Sequence, residues 1–70
     1  MATVRFELEG DYVELNQLLK LVGLCGSGGV GKQIVASGAV SVDGRQELRK
    51  TAKIRAGQQV SIDDVTITVA

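Results

Sequence analysis

The sequence predicts an α+β fold in which two short helices pack against a small, mostly antiparallel sheet. Three observations support this prediction. Apolar and polar residues alternate near both ends of the chain, two helical stripes that each precede a glycine lie between them, and turn dipeptides divide the C-terminal half. Helices and strands that are grouped apart along a chain in this way are typical of α+β domains.

Four segments alternate as a strand with one buried face does: 3–8, 40–42, 59–62 and 66–69. Phe6 lies on the apolar side of the first segment, so we expect it in the core. The dipeptides Asp43-Gly44 and Asp63-Asp64 interrupt the alternation of the C-terminal half, and they predict two hairpin turns.

Residues 46–55 are ambiguous. Leu48 and Ile54 can anchor an extended stretch, whereas the residues from Glu47 to Lys50 have helical propensity. We expect an extended conformation, because Leu48 and Ala52 form too narrow a stripe for a helix.

The first helix is predicted over about residues 14–22, because four apolar residues there have i, i+3, i+4, i+7 spacing: Leu15, Leu18, Leu19 and Val22. Gly23 stands where a helix C-cap glycine belongs. Lys20 lies in the last turn, where the helix dipole favours a cation.

The second helix is predicted over about residues 28–37, with Gly38 at its end and an apolar stripe of Val30, Ile34 and Val35. Ser27 is a good N-cap residue, because its hydroxyl can accept a hydrogen bond from a free backbone N–H. Three glycines weaken this helix by up to about 1 kcal/mol each relative to alanine: Gly28, Gly29 and Gly31. Two compatible explanations stay open, close packing against the first helix and close approach of a ligand phosphate.

Composition predicts one small domain over residues 1–70, with 44% hydrophobic residues, well above the disordered range. The single cysteine, Cys25, excludes an internal disulfide and favours a reducing compartment. Early charge at Arg5 and Glu7 argues against a signal peptide, and no apolar run reaches the ~18 residues of a membrane span. We therefore expect a soluble cytoplasmic monomer that does not enter a membrane.

The formal charge is zero overall but segregated along the chain. Residues 1–14 have a balance of −3, residues 15–57 a balance of +5, and residues 58–70 a balance of −2. The local electrostatic field of a surface matters more for binding a polyanion than the net charge of the whole protein does. Residues 15–57 are therefore a candidate nucleic-acid surface. An ordinary mixed surface is the alternative.

Residues 26–33 match two phosphate-binding patterns, the dinucleotide G-x-G-x-x-G and the Walker-type G-x-x-x-x-G-K. Three features argue against nucleotide chemistry. Gln33 replaces the hydroxyl residue that would hold magnesium, and Arg49 and Lys50 stand about where the dinucleotide pattern has an acid. Only 38 residues follow Lys32, and they carry hairpin signals and no clear crossover helix.

The sequence offers few other residues that could act in catalysis. Histidine is absent, so the usual general base and metal ligand are missing, and Cys25 has no histidine to activate it. We expect Cys25 to be a half-buried loop residue and Asp63-Asp64 a solvated turn. We predict no catalytic residues, no metal and no cofactor.

Eight positions between Ser27 and Gly44 form a spaced pattern: Ser27, Lys32, Ile34, Gly38, Val40, Val42, Asp43 and Gly44. This pattern resembles the RNA-binding domain named after small-subunit ribosomal protein four, the S-four-like domain or alpha-L motif. Leu18-Leu19-Lys20 before it, and Lys53-Ile54 with Gly57 after it, extend the resemblance to about residues 15–62. The Leu-Leu-Lys and Ser-Gly-Gly signatures are most similar to a bacterial branch of small stand-alone members.

The resemblance implies non-catalytic binding of structured RNA by one basic face, made by the two helices and the following hairpin. The residues it places there are Lys20, Ser27, Gly28, Gly29, Lys32, Arg45, Arg49, Lys50 and Lys53, and Arg55 can join them or point away. Many members have arginines where Gly28 and Gly29 stand, and asparagine where Asp43 stands. Those departures remove two phosphate contacts and add a negative charge.

The aromatic residues Phe6 and Tyr12 both lie outside the basic segment. We therefore expect recognition through phosphates and RNA shape, with little base readout. Ribosomal or transfer RNA, alone or in a ribosome-associated assembly, is the partner that the resemblance implies. Two alternatives stay open: a protein-interaction module that docks an acidic partner, and a nucleotide- or phosphate-binding remnant at residues 26–32.

Overall fold

The computed structural model describes residues 2–70. Its elements, in chain order, are β1 (Ala2–Phe6), β2 (Val13–Glu14), α1 (Leu15–Leu21), α2 (Gly28–Ala36), β3 (Val40–Val42), β4 (Arg45–Gln46), β5 (Lys53–Ile54), β6 (Gln59–Ile62) and β7 (Val65–Val69). The predicted class, two short helices with a mostly antiparallel sheet, is confirmed. Neither helix is long and apolar enough to cross a membrane in this part of the chain.

The main sheet has five strands in the order β1-β7-β6-β3-β4. All its pairings are antiparallel except the one between β1 and β7, in which Phe6 lies opposite Val69. Both predicted hairpins are confirmed. At the first turn, Asp43 and Gly44 have φ angles of 52° and 83°, and two positive φ values are what a tight two-residue hairpin turn requires.

A separate two-stranded ladder joins β2 to β5, with Val13 opposite Ile54. The sequence does not predict β2. The segment 46–55 contains no helix, as expected, and Ile54 is 1% exposed. Leu48 is 55% exposed, so the expectation that it anchors this stretch in the core is wrong. The chain between β4 and β5 loops outward at that point.

The core lies between the helices and the sheets. Its fully buried large side chains are Leu15, Leu18, Leu19, Val35, Val40, Ile54, Val60, Ile67 and Val69. Phe6 and Val22 are half-buried and pack against this cluster, in agreement with the predicted strand and helix stripes. Cys25 is also half-buried, as expected, and its thiol donates to the Ser27 carbonyl at 3.3 Å.

Helix α2 buries two of the three residues of the predicted stripe, since Val35 is fully buried and Ile34 packs against the core. Val30 is 44% exposed, whereas Gly31 is buried. A Cβ atom at Gly31 would lie 2.7 Å from the backbone oxygen of Asn16 in α1, closer than such atoms pack. A hydrophobic stripe does not include Gly31, because glycine adds no side chain to it. Close packing against the first helix, one of the two explanations that the sequence leaves open for the glycines, is what the structure shows at Gly31.

Asn16 is the buried polar residue of the helix contact. The residue is 2% exposed, and its Oδ1 atom accepts no hydrogen bond from any group of residues 2–70. Burying an unpaired acceptor opposes folding, so α1 contributes less to stability than its three buried leucines alone would give.

Candidate nucleic-acid interface

An open groove of about 760 Å³ runs between helix α2 and the loop that joins β4 to β5. Residues from those two parts of the chain line it: Lys32, Leu48, Arg49, Lys50, Thr51, Ala52 and Lys53. We call it the cationic groove. Four of the nine predicted site residues therefore meet here, although Lys32 and Lys50 are well separated in sequence.

The backbone of the groove loop is held by the start of helix α1. The Leu15 and Asn16 amides donate to the carbonyl oxygens of Ala52 (2.9 Å) and Lys50 (3.1 Å). Glu14, the N-cap of α1, forms no side-chain capping bond, so the loop satisfies amides that would otherwise be free. These bonds fix the loop backbone while Lys50 and Lys53 remain exposed to solvent.

The groove cations differ in their pairing. Arg49 donates to Glu47 through Nε (3.1 Å) and Nη2 (3.0 Å), and its backbone amide donates to the same carboxylate. These bonds hold the pKa of Glu47 below, and that of Arg49 above, its usual value. Lys32, Lys50 and Lys53 form no ion pair with any acid of residues 2–70. The groove is therefore a positive surface whose lysine charge is not internally neutralised.

The N-terminus of α2 is formed as predicted. The Ser27 hydroxyl accepts from the Val30 amide at 3.3 Å. Gly28 is half-buried, and a Cβ atom there would lie 3.0 Å from Gln17 Nε2, whereas Gly29 is exposed with only the Ser27 hydroxyl nearby. The three glycines of α2 therefore fall into two groups. Gly28 and Gly31 pack against α1, whereas Gly29 is open to a ligand.

The remaining predicted cations lie elsewhere. Lys20 is exposed in the last turn of α1 and does not line the cationic groove. Arg45 lines a separate shallow depression beside Asp43 and Glu47. For all nine predicted residues, those in the groove included, a role in binding stays a prediction.

Tyr12 is the functional candidate that sequence reasoning missed. Its ring is 42% exposed, with Lys53 Nζ 4.9 Å and Arg55 Cζ 5.8 Å from the ring centroid. The expectation that both aromatic residues lie outside the basic region is therefore wrong for Tyr12. The β2–β5 ladder brings them together, and nothing in the local sequence signals that pairing.

The glycine-rich stretch 26–32 lacks the setting of a nucleotide-binding loop. Such loops follow a strand and open a helix, whereas here the element before the loop is helix α1. Within residues 2–70, no group of three or more histidine, cysteine, aspartate or glutamate side chains is placed to hold a metal ion.

A family model described as the S4 domain matches residues 6–70. The chain belongs to the S4 domain family. The more specific similarity to small stand-alone proteins, the branch typified by YbcJ, is also confirmed. YbcJ of Escherichia coli (strain K12) is 48% identical over 58 residues, which are 83% of each chain, and YbcJ of Shigella flexneri matches to the same extent.

The fold agrees with that of a solved relative. The solution structure of E. coli YbcJ aligns with this fold at a TM-score of 0.70 and 44% sequence identity. The alignment covers all of this chain and 87% of the YbcJ chain. That structure is described as containing an alpha-L motif involved in RNA binding. The alpha-L architecture predicted from the spaced residues of the second helix and hairpin is thus confirmed.

Proposed function

We propose that the chain binds structured RNA, without catalysis, through contacts between the cationic groove and RNA phosphates. The observation that carries this proposal is the convergence of Lys32, Lys50 and Lys53 on one groove without acidic partners. Membership of the S4 domain family, and the RNA-binding motif described for YbcJ, support RNA as the polyanion.

The groove favours recognition of the RNA backbone. Lysine ammonium groups on flexible stems meet phosphate oxygens at many positions and carry no base code. The loop backbone is fixed by α1, so binding orders side chains and not the main chain. We propose a folded ribosomal or transfer RNA as the target of a monomer, alone or in a ribosome-associated assembly.

Charge reversal in the groove tests this proposal. Replacing a lysine that meets a phosphate by glutamate removes about 1 kcal/mol of attraction in water and adds a similar repulsion. Lys32→Glu and Lys50→Glu should therefore each weaken binding roughly 30-fold, for ribosomal and transfer RNA fragments alike. Fluorescence anisotropy at fixed salt measures the dissociation constants, and circular dichroism checks the fold.

Arg5→Glu is the matched control, because it makes the same change in net charge on the edge strand β1, where Arg5 pairs with Glu7. Its effect should be several-fold smaller than that of either lysine reversal. Equal losses for all three variants would contradict a localised groove. Folded wild-type protein that binds an acidic protein partner but none of these RNAs would contradict the proposed function.

A further inference from the structure

A second concavity, of about 320 Å³, lies beside the cationic groove. Its apolar lining comes from Tyr12 with Phe6, Leu8, Val13 and Leu21, and the acidic residues Glu7 and Glu9 complete the lining. We call it the aromatic pocket. Tyr12 and Leu21 are 42% and 59% exposed, so the pocket presents two large side chains to solvent.

Tyr12 and Lys53 connect the pocket to the groove. Tyr12 lines the aromatic pocket, Lys53 lines the cationic groove, and the Lys53 ammonium lies 4.9 Å from the centre of the Tyr12 ring. A phosphate that binds Lys53 therefore lies close to the Tyr12 ring, over which Arg55 Cζ also lies at 5.8 Å.

The chemistry of the pocket suits a nucleobase better than a phosphate. Two carboxylates repel a phosphate but accept hydrogen bonds from a base amino group, as acidic side chains do from the cytosine N4 amino group. Glu7 is already paired with Arg5, whereas Glu9 forms no ion pair with any basic residue of 2–70. The volume is at the lower end of the range for small-molecule sites, ~300–1,000 Å³, which fits one base and not a helix.

We infer that the aromatic pocket receives one unpaired, amino-bearing base of the RNA, stacked on Tyr12 while the flanking phosphates lie in the cationic groove. This rests on the proposed function and narrows its substrate class to RNA in which a helix carries a bulged or looped-out nucleotide. Stacking on an aromatic ring tolerates several bases, so Glu9 supplies the preference among them.

Two RNA hairpins of equal length, one fully paired and one with a single cytidine bulge, test the inference. Wild-type protein should bind the bulged hairpin roughly tenfold more tightly, the gain expected from one base stacked on an aromatic ring. Tyr12→Ala should remove that preference between the two hairpins, whereas Tyr12→Phe should keep it. A 2-aminopurine base at the bulge should change fluorescence with wild-type protein and not with Tyr12→Ala.

The possible results separate the two proposals. Equal binding of both hairpins, still weakened by Lys50→Glu, would overturn the pocket and leave the groove intact. Binding of neither hairpin would overturn both. A preference for the bulge that survives Tyr12→Ala would also overturn the pocket, and equal affinity for cytidine and uridine bulges would overturn the role of Glu9.

Discussion

Helix α2 contributes to two surfaces, its contact with helix α1 and the cationic groove. The two surfaces depend on different physical properties. At the helix contact, Gly31 brings α2 so close to Asn16 that a single methyl group would not fit. One residue further on, Lys32 is exposed and lines an open groove. The first surface depends on shape and the second on charge.

Because of this difference, Gly31 contributes to the stability of the fold, whereas the adjacent Lys32 is free to contribute to binding. Close packing tolerates little change in volume, whereas a solvated cation can be exchanged for a neutral residue at little cost in stability. Backbone hydrogen bonds, in which α1 donates to the groove loop, are one link between the two surfaces. Substitutions on each side should therefore change one property and not the other.

The largest effect on stability is expected for Gly31→Ala. Alanine gains up to about 1 kcal/mol of helix propensity, but a Cβ 2.7 Å from the Asn16 oxygen forces the helices apart. We expect a net loss of about 2 kcal/mol in the free energy of unfolding, within the range for overpacked cores. Urea denaturation measures it.

Gly29→Ala is the matched control on the same helix, because a Cβ atom at Gly29 would meet only the Ser27 hydroxyl, at 3.8 Å. At this position no steric clash opposes the gain in helix propensity, so the free energy of unfolding should rise by roughly 0.5–1 kcal/mol. A stabilising Gly31→Ala, or losses of similar size at both positions, would contradict the tight helix contact.

A smaller effect, on binding, is expected for Glu47→Gln. The glutamine carbonyl can still accept from Arg49, but the charge that neutralises this cation at the edge of the groove is lost. We expect RNA affinity to rise, by up to about fivefold, since a screened surface pair is worth at most about 1 kcal/mol. Anisotropy titrations of wild type and variant measure the change.

Glu7→Gln makes the same substitution in the other ion pair, Arg5–Glu7, which lies on and just after strand β1. It should leave the affinity for a fully paired hairpin unchanged. A similar rise for both variants would show that only net charge matters, against a localised interface.

The smallest effect concerns Asp43, whose carboxylate accepts from the Gln59 amide (2.9 Å) and from Gln58 Nε2 (3.1 Å). These bonds, the Gln59 bond first, lower the pKa of Asp43 below its usual value. The stabilisation is therefore present above the unfolded pKa, near pH 4, and is lost as pH falls through the folded pKa. Thermal melts should show a shallower loss of stability below pH 4 for Asp43→Asn than for wild type.

Asp63→Asn is the control, because Asp63 has a similar φ angle of 49° in the turn of the other hairpin. This variant measures how asparagine changes the stability of such a turn when the Gln58 and Gln59 hydrogen bonds are not involved. Wild type and Asp43→Asn with parallel acid profiles would contradict the role of these two hydrogen bonds.

The parts of the fold that the sequence predicted have local signals. Ser27 marks the start of α2, Gly23 follows α1, and Asp43-Gly44 forms the turn between β3 and β4, all within a few residues of the elements they define. The grouping of Lys32 with Arg49, Lys50 and Lys53 was predicted from the family resemblance.

The missed features depend on contacts between distant residues. Val13 pairs with Ile54 in a two-residue ladder, too short to show a pattern, and the approach of Tyr12 to Lys53 follows from it. Gly31 is absent from the apolar stripe of α2 because its burial comes from the lack of a side chain, and the sequence offers its close packing against α1 as only one of two explanations. Leu48 is expected to anchor the stretch 46–55 on hydrophobicity alone, and it is exposed.

The salt dependence of RNA affinity tests the cationic groove most directly. With about four cations on phosphates, log affinity should fall with log salt at a slope of roughly −3 to −4 for the wild type, by counterion release. In the triple variant Lys32→Ala, Lys50→Ala, Lys53→Ala, the one cation left in the groove is Arg49, which is paired with Glu47, and the slope should be about −1 or shallower. Equal slopes for the two proteins, or a flat line for the wild type, would contradict the interface.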